Sequence, residues 1–317
     1  MLKVGIVGTG GISQSHLTGW AAVPEAKLVA ACDIRAEQVD PVGEKYGCRV
    51  YYDLDEMLKG EELDVLDICL PTYLHADAAV KAIGRGINVL TEKPVSLRRA
   101  DVRRVYGAAR EKGVRVMVAQ VLRFWPEYER LKEAADSGEY GRLLSGSMTR
   151  LGNTPKWSWD DWMKDPERSG LVPFDLHIHD LDFMIYAFGT PKSVACSRAG
   201  NERQDYLNVI YRYPGFFINA EAAWYDCDYA FAAGYRFQFE KAVMEFKAGT
   251  LTIYHQDGRV ETCAQEEDAA ENGINLPRSN AYYNEIRYFA DCVLAGKDCD
   301  RVRPEELEAV LDTIEKL

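Results

Sequence analysis

The 317-residue sequence has no window approaching the roughly 18 consecutive apolar residues that a membrane helix needs, and its mean hydropathy is negative. A membrane partner is therefore not expected. There is no C-x-x-C pair and no clustered Cys/His set: Cys32, Cys48, Cys69, Cys196, Cys227, Cys263, Cys292 and Cys299 are scattered, which predicts reduced, mostly core thiols. A concentrated basic patch is also missing. With a formal net charge of −12 the average field repels a phosphate backbone. The densest basic run (Arg98, Arg99, Arg103, Arg104) is broken by Asp101 and reads as a solvated helix face, so nucleic acid is not expected as a partner. Internal repeats and low-complexity segments are absent. No charged leader, apolar stretch or cleavage site precedes the strand pattern that starts at residue 2, and the expectation is an unprocessed cytoplasmic protein.

What the chain does have is enough apolar residue, 47%, for two cores of ordinary size. Over the first ~120 residues, short apolar runs at 3–7, 27–32, 64–70, 87–91 and 114–119 alternate with amphipathic stretches near 12–23, 35–46, 74–85 and 98–112. This pattern predicts repeated βαβ units, an α/β Rossmann domain with a doubly wound parallel sheet whose strands are buried on both faces. From about residue 142 the texture becomes strand-rich, with runs at 142–150, 193–199, 206–213, 216–224, 235–240, 242–246 and 250–254. Tyr235, Phe237 and Phe239 alternate with Arg236, Gln238 and Glu240, the mark of a half-buried antiparallel sheet. Helices are expected near 280–295 and 304–316, the second opened by Pro304 with Glu305 and Glu306 in its first turn. The division predicted is 1–121 for a dinucleotide-binding domain. Residues 122–317 are expected to form an α+β domain with an open, mostly antiparallel sheet that binds substrate and joins subunits.

Gly8, Thr9, Gly10, Gly11, Ile12 and Ser13 stand between a strand and a helix, the context that turns a glycine cluster into a phosphate-binding turn. Gly8 suits the tight turn, and Gly10 admits a pyrophosphate to the positive end of the helix. Ser13 departs from the usual third glycine or alanine but is small. Asp33 follows 20 residues after Ser13, at the end of the second strand, where a carboxylate accepts from ribose hydroxyls and repels a 2′-phosphate. NAD is therefore expected, with NADP left open by Arg35 two residues on.

Two further segments carry reaction chemistry. Glu92-Lys93-Pro94 follows a strand at the carboxyl edge of the parallel sheet, where ligands of open α/β sheets bind. Lys93 precedes proline, which restricts its backbone and so its ammonium; it is suited to polarise a substrate oxygen. The second segment runs from Phe174 to Tyr186. Read as a helix, it puts Asp175, His179, Asp182 and Tyr186 on one stripe. An imidazole with a pKa near ~6.5 suits the proton that an alcohol loses as hydride leaves, and Asp175 is placed to orient His179 or to bind a neighbouring hydroxyl. The rival reading is a metal site of Asp175, His177, His179 and Asp180. His177 and His179 diverge on a helix and no further ligand cluster accompanies them, so no metal is expected.

Gly8-x-Gly10, Glu92-Lys93-Pro94 and Asp175-x-x-x-His179-Asp180-x-Asp182 together resemble the Gfo/Idh/MocA oxidoreductases, a family that includes glucose-fructose oxidoreductase and inositol dehydrogenase. The likeness extends to Pro71-Thr72-Tyr73-Leu74-His75, similar to the family's cofactor-side turn, and to the joining segment from Gln120 to Phe124. The resemblance implies that Lys93 and His179 flank the substrate hydroxyl, with Asp175 as a third polar contact and Arg123 near nicotinamide or substrate. It also implies sugar or polyol substrates and an open sheet used for homodimers or homotetramers. Two positions depart from the pattern. Tyr73 replaces a common asparagine, and His177 replaces a common glycine, either narrowing the pocket and touching substrate or pointing away. Trp157, Trp159 and Trp162 fall within six residues, and flat aromatic faces pack on sugar C–H faces; Trp157 and Trp159 are candidate substrate contacts, with a packed lid as the plainer reading. The expected activity is an NAD(P)-dependent dehydrogenase acting on a CH–OH group of a sugar, inositol or related polyol. The alternatives are a non-catalytic dinucleotide sensor and a sugar–sugar oxidoreductase that keeps its cofactor.

Overall fold

The computed structural model describes residues 1–264 and 280–317. These fall into two compact units, the first of residues 1–121 and 280–305, the second, among the described residues, of 122–264 and 306–317.

The first unit is built on six parallel strands, β1 (Leu2–Val7), β2 (Ala26–Cys32), β3 (Arg49–Tyr51), β4 (Val65–Ile68), β5 (Asn88–Glu92) and β6 (Val116–Ala119), in the order β3-β2-β1-β4-β5-β6. Helices α1 (Ser13–Ala21), α2 (Ala36–Tyr46), α3 (Leu54–Gly60), α4 (His75–Gly84) and α5 (Arg99–Lys112) connect them. Every residue of β4 and β6 is buried, which explains why β6 reads as an unbroken apolar run and β4 as one broken only by Asp67. The strand order reverses between β1 and β4, so the crevice beyond their carboxyl ends is the topological switch point at which such sheets take ligands. β3 and α3 are too short for periodicity to reveal. The visible local signal is Asp53, whose carboxylate caps α3 by accepting from the Glu56 N–H at 2.9 Å.

In the second unit, α6 (Pro126–Ser137), α7 (Pro166–Ser169) and α8 (Ile178–Phe188) accompany an eight-stranded sheet: β7 (Leu143–Asn153), β8 (Ser193–Asn201), β9 (Gln204–Tyr213), β10 (Phe216–Tyr225), β11 (Ala232–Phe239), β12 (Ala242–Lys247), β13 (Thr250–His255) and β14 (Val260–Ala264). The order is β14-β13-β12-β11-β7-β10-β9-β8, and the β7–β10 pair alone is parallel. The alternation read in the sequence is realised: Tyr235, Phe237 and Phe239 are buried while Arg236 and Gln238 are exposed. Tyr128 of α6 meets Phe183 of α8 at 5.0 Å and Tyr235 at 5.1 Å, both edge-on, so two helices cover the aromatic face.

The last two helices, α9 (Ala281–Ala295) and α10 (Pro304–Ile314), divide between the units. A continuous 122–317 domain is therefore corrected. α9 lies on α1 because Gly19 leaves room there: a Cβ on Gly19 would stand 2.5 Å from Ile286 Cδ1. Trp20 also packs edge-on against Phe289 at 6.5 Å.

Candidate active site

The glycine turn follows β1 directly. Gly8 has φ +84°, and a Cβ there would lie 2.5 Å from the Cys69 carbonyl oxygen, so glycine is required on both counts. At Gly10 a Cβ would enter open space, with Arg35 Nη2 at 3.9 Å as its only neighbour within 4 Å. Gly11 and Ile12 complete the turn and α1 begins at Ser13, so the helix N-terminus follows the turn directly. Asp33, at the tip of β2, accepts from the Thr9 N–H at 2.9 Å through Oδ2. Arg35 closes on the same carboxylate with Nε and Nη2, both at 3.0 Å. Burial works against the Asp33 charge, but the Arg35 side chain and these N–H donors outweigh it and hold the carboxyl below its usual range. An open cradle at a helix N-terminus, flanked by an ionised acid one strand over, fits a dinucleotide's pyrophosphate and ribose. Gly8, Gly10, Gly11, Ile12, Asp33 and Arg35 are the residues that would hold them.

Two buried histidines brace the adjoining strand ends. His75, expected beside the cofactor, is 1% exposed, with Nδ1 2.7 Å from the Pro94 carbonyl and Nε2 2.6 Å from the Leu70 carbonyl. Both ring nitrogens thus face backbone carbonyls beside the Pro71 turn and the Lys93–Pro94 turn, one of them as the N–H donor, so the enclosed ring supports these two turns. His16, which sequence reasoning missed, stands between Asp67 (2.8 Å) and Glu92 (3.0 Å). Glu92 in turn accepts the Lys93 N–H at 3.1 Å, so this acid also faces inward. Lys93 is half-buried at the end of β5. Gln120, at the same edge after β6, is buried with no hydrogen-bond partner for Oε1 among the described residues. Its place directly beyond a strand's carboxyl end was the available signal.

In the second unit the expected helix starts as a π turn over Pro173–His177 and becomes α-helical from Ile178. Such wide turns recur at functional sites and shift the register of whatever follows. Along the predicted stripe burial differs: Asp175, His179 and Tyr186 are half-buried and Asp182 is enclosed. Asp182 is fully buried in a two-pronged pair with Arg123, at 2.8 and 2.7 Å, and the Arg123 guanidinium lies 4.7 Å over the Tyr186 ring. Glu306 takes the remaining Arg123 arm. Arg123 is wholly enclosed, and its expected role beside nicotinamide or substrate is corrected to an ion pair at the centre of the unit. His177 is likewise fully buried, stacked on Tyr211, whose hydroxyl is 2.5 Å from Nε2, so its side chain points away from solvent. Burial, helped by the nearby Arg150 charge, pushes the His177 imidazole down to about 3, so the ring is neutral. Asp180 pairs with Arg150 at 2.7 Å. Of the four residues in the metal reading, His177 and Asp180 are enclosed by these pairings and Asp175 and His179 are half-buried.

Trp157 is 65% and Trp159 39% exposed, so these two do not form a packed lid. They precede Asp160 and Asp161, whose φ values of 52° and 48° are uncommon for non-glycine residues and mark a strained turn. Elsewhere, His16, Asp67 and Cys69 bring donor atoms within 4.8 Å of one another, but Asp67 already accepts from His16 and from Trp20 Nε1, so the cluster is an internal polar network.

Comparison with known proteins agrees with this architecture. Residues 2–120 match the family model described as the Gfo/Idh/MocA oxidoreductase family, NAD-binding Rossmann fold, and residues 128–261 match the Gfo/Idh/MocA C-terminal domain. D-apiose dehydrogenase of Paraburkholderia graminis is 30% identical over 202 residues, 63% of this chain and 53% of that protein. Inositol 2-dehydrogenase of Salmonella typhimurium is 31% identical over 189 residues, 58% of this chain and 53% of that protein. The chain thus spans about half the length of the curated relatives it matches. Among solved structures, levoglucosan dehydrogenase in complex with NADH and levoglucosan superposes with a TM-score of 0.84 at 18% identity, covering 99% of this chain and 96% of that one. UDP-N-acetylglucosamine 3-dehydrogenase of Acidithiobacillus ferrooxidans gives 0.79 at 23% identity, with coverages of 99% and 96%. With both units matched in order, the chain belongs to the Gfo/Idh/MocA oxidoreductase family and carries its NAD-binding Rossmann domain.

Proposed function

We propose that the protein is an NAD-dependent dehydrogenase that moves a hydride between nicotinamide and a CH–OH or C=O group of a sugar, inositol or related polyol. The observation that carries this reading is differential burial. Between Pro173 and Tyr186 the side chains of His177, Asp180 and Asp182 are enclosed, while those of Asp175 and His179 remain partly exposed. In the proposed reaction, bound nicotinamide supplies or accepts the hydride. His179 takes the hydroxyl proton, or returns it in the reverse direction, and Asp175 orients that imidazole or an adjacent hydroxyl. Lys93 hydrogen-bonds the reacting oxygen and favours its negative character.

Asp33 supports NAD over NADP, since its carboxylate is ionised where a 2′-phosphate would lie; Arg35, latched to it, is the residue through which NADP would be accommodated. Pro71, Glu92 and Lys93 line the same edge of the sheet. Trp157 and Trp159 are proposed to stack on the sugar, and their exposure supports this. The wet face of the eight-stranded sheet is proposed as the surface for a homodimer or homotetramer. Eight free thiols and no described helix long and apolar enough to cross a membrane support a cytoplasmic location.

The test is a panel of sugars and polyols run in parallel with NAD and NADP, read at the nicotinamide absorbance. Reduction of NAD by one class supports the reading. Turnover of sugar pairs with copurified nucleotide and none added would move it to a cofactor-retaining oxidoreductase. Nucleotide binding without turnover of any substrate would move it to a sensor.

A further inference from the structure

His16 sits on α1, and both of its ring nitrogens face carboxylates rather than the cofactor cradle. Its Nδ1 is 2.8 Å from Asp67 Oδ2 and its Nε2 3.0 Å from Glu92 Oε1. One helical turn on, Trp20 Nε1 donates to the same Asp67 oxygen at 2.7 Å, so that oxygen serves as an acceptor. The second Glu92 oxygen accepts the Lys93 N–H. A ring nitrogen facing a carboxylate on each side carries a proton on each side, and both side chains that meet His16 are enclosed, Asp67 wholly and Glu92 to within 10% exposure.

We propose that His16 is a positioning residue, an imidazolium clamped between Asp67 and Glu92 that fixes the Glu92 carboxylate and through it the backbone of Lys93. The clamp joins the carboxyl ends of β4 and β5 to the helix that follows the glycine turn, so it locks Lys93 to the cradle. Charges around the ring agree. Burial alone would push the His16 imidazole down, but Asp67, with Cys69 beside it, outweighs burial and holds the ring well above its ordinary range. Burial pushes Glu92 up, and His16 and Lys93 together bring it below the usual carboxylate range. The other groups at the cluster are His75, whose charge would also act on Glu92, and the Tyr282 ring of α9, 6.2 Å from His16. Without the imidazolium, two enclosed carboxylates face one another and one of them must take up a proton.

The role in positioning rests on the dehydrogenase reading; the protonation state does not. In the full chain labelled with 15N-histidine there are five histidines, and the His16 ring signals are those lost in His16→Gln. Both His16 ring nitrogens are expected to stay protonated from pH 6 to 9. A ring nitrogen without a proton at pH 8 would overturn the clamp whatever the enzyme's activity. NADH affinity, followed by energy transfer from tryptophan, is expected to be level across that range in the wild type. In His16→Gln it should acquire a new ionisation, changing about tenfold per pH unit on its sloping side, and Glu92→Gln in the same background should abolish it. A His16→Gln protein that binds more weakly by a constant factor at every pH would reduce His16 to packing and overturn the positioning role. Failure of wild-type and variant alike to bind NADH would overturn it too, together with the dehydrogenase reading, while leaving the ring spectrum to decide the clamp.

Discussion

Replacing Arg123 with methionine separates two accounts of that residue. A family pattern places this arginine near the ligand, whereas the structure encloses it completely and engages its fork with Asp182 and Glu306. Methionine keeps much of the volume but leaves the Asp182 side chain, 1% exposed, and Glu306, 11% exposed, without the opposing charge. Removing one partner of a buried ion pair costs about 3–5 kcal/mol, because the remaining charge stays desolvated. At roughly 2–4 °C per kcal/mol for a unit of this size, the melting temperature should fall by about 10 °C. Circular dichroism melts at pH 7.5 measure this directly, and the triple variant Arg123→Met, Asp182→Asn, Glu306→Gln should recover much of the loss. An Arg123→Met protein that melts within about 2 °C of the wild type yet loses substrate or nucleotide affinity would refute the enclosed-pair account and restore the ligand contact.

Other outcomes follow from individual residues. Gly8→Ala sets a Cβ 2.5 Å from the Cys69 carbonyl at φ +84°, so NADH affinity measured by fluorescence titration should fall at least tenfold; unchanged affinity would show that the turn is not the cradle. His177 ionises near pH 3 in the folded chain and near ~6.5 when unfolded, so the unfolded state binds the extra proton between those values. Its contribution is whole above pH 6.5 and falls by up to about 1.4 kcal/mol per pH unit below it; urea melts at pH 5 and 7 should show a smaller difference in His177→Phe than in the wild type. Lys93→Ala and His179→Ala should retain NADH binding while kcat falls by about 10²–10⁴, the usual range for a lost proton-transfer or polarising group, as read in steady-state assays on the substrate the panel identifies.

Much of this architecture was legible because it rests on local rules. Strands buried on both faces give apolar runs, unbroken in β6 and interrupted only by Asp67 in β4, and a half-buried sheet gives the alternation seen at Tyr235, Phe237 and Phe239. The glycine turn, Asp33 and the Glu92–Lys93–Pro94 turn were readable for the same reason: each is a short stretch with a fixed place at a strand's end. What escaped is non-local. The partners of His16 lie 51 and 76 residues away, and those of Arg123 lie 59 and 183 residues away, distances at which spacing carries no information. A polar His16 one turn before Trp20 on the buried face of α1 was a local hint that something charged waited opposite. The π turn before α8 escaped for a different reason. Helical spacing assumes 3.6 residues per turn, so a wide turn over Pro173–His177 changes the register of Asp175 relative to His179, Asp182 and Tyr186, which follow it in one α-helix.

The central claim, that Lys93 and His179 serve hydride transfer on a sugar or polyol, is tested most directly by the nicotinamide absorbance of purified protein mixed with NAD and the substrate panel. The account predicts NADH formation with at least one polyol or sugar, lost in both Lys93→Ala and His179→Ala while each still binds NADH. Turnover preserved in both variants would contradict it.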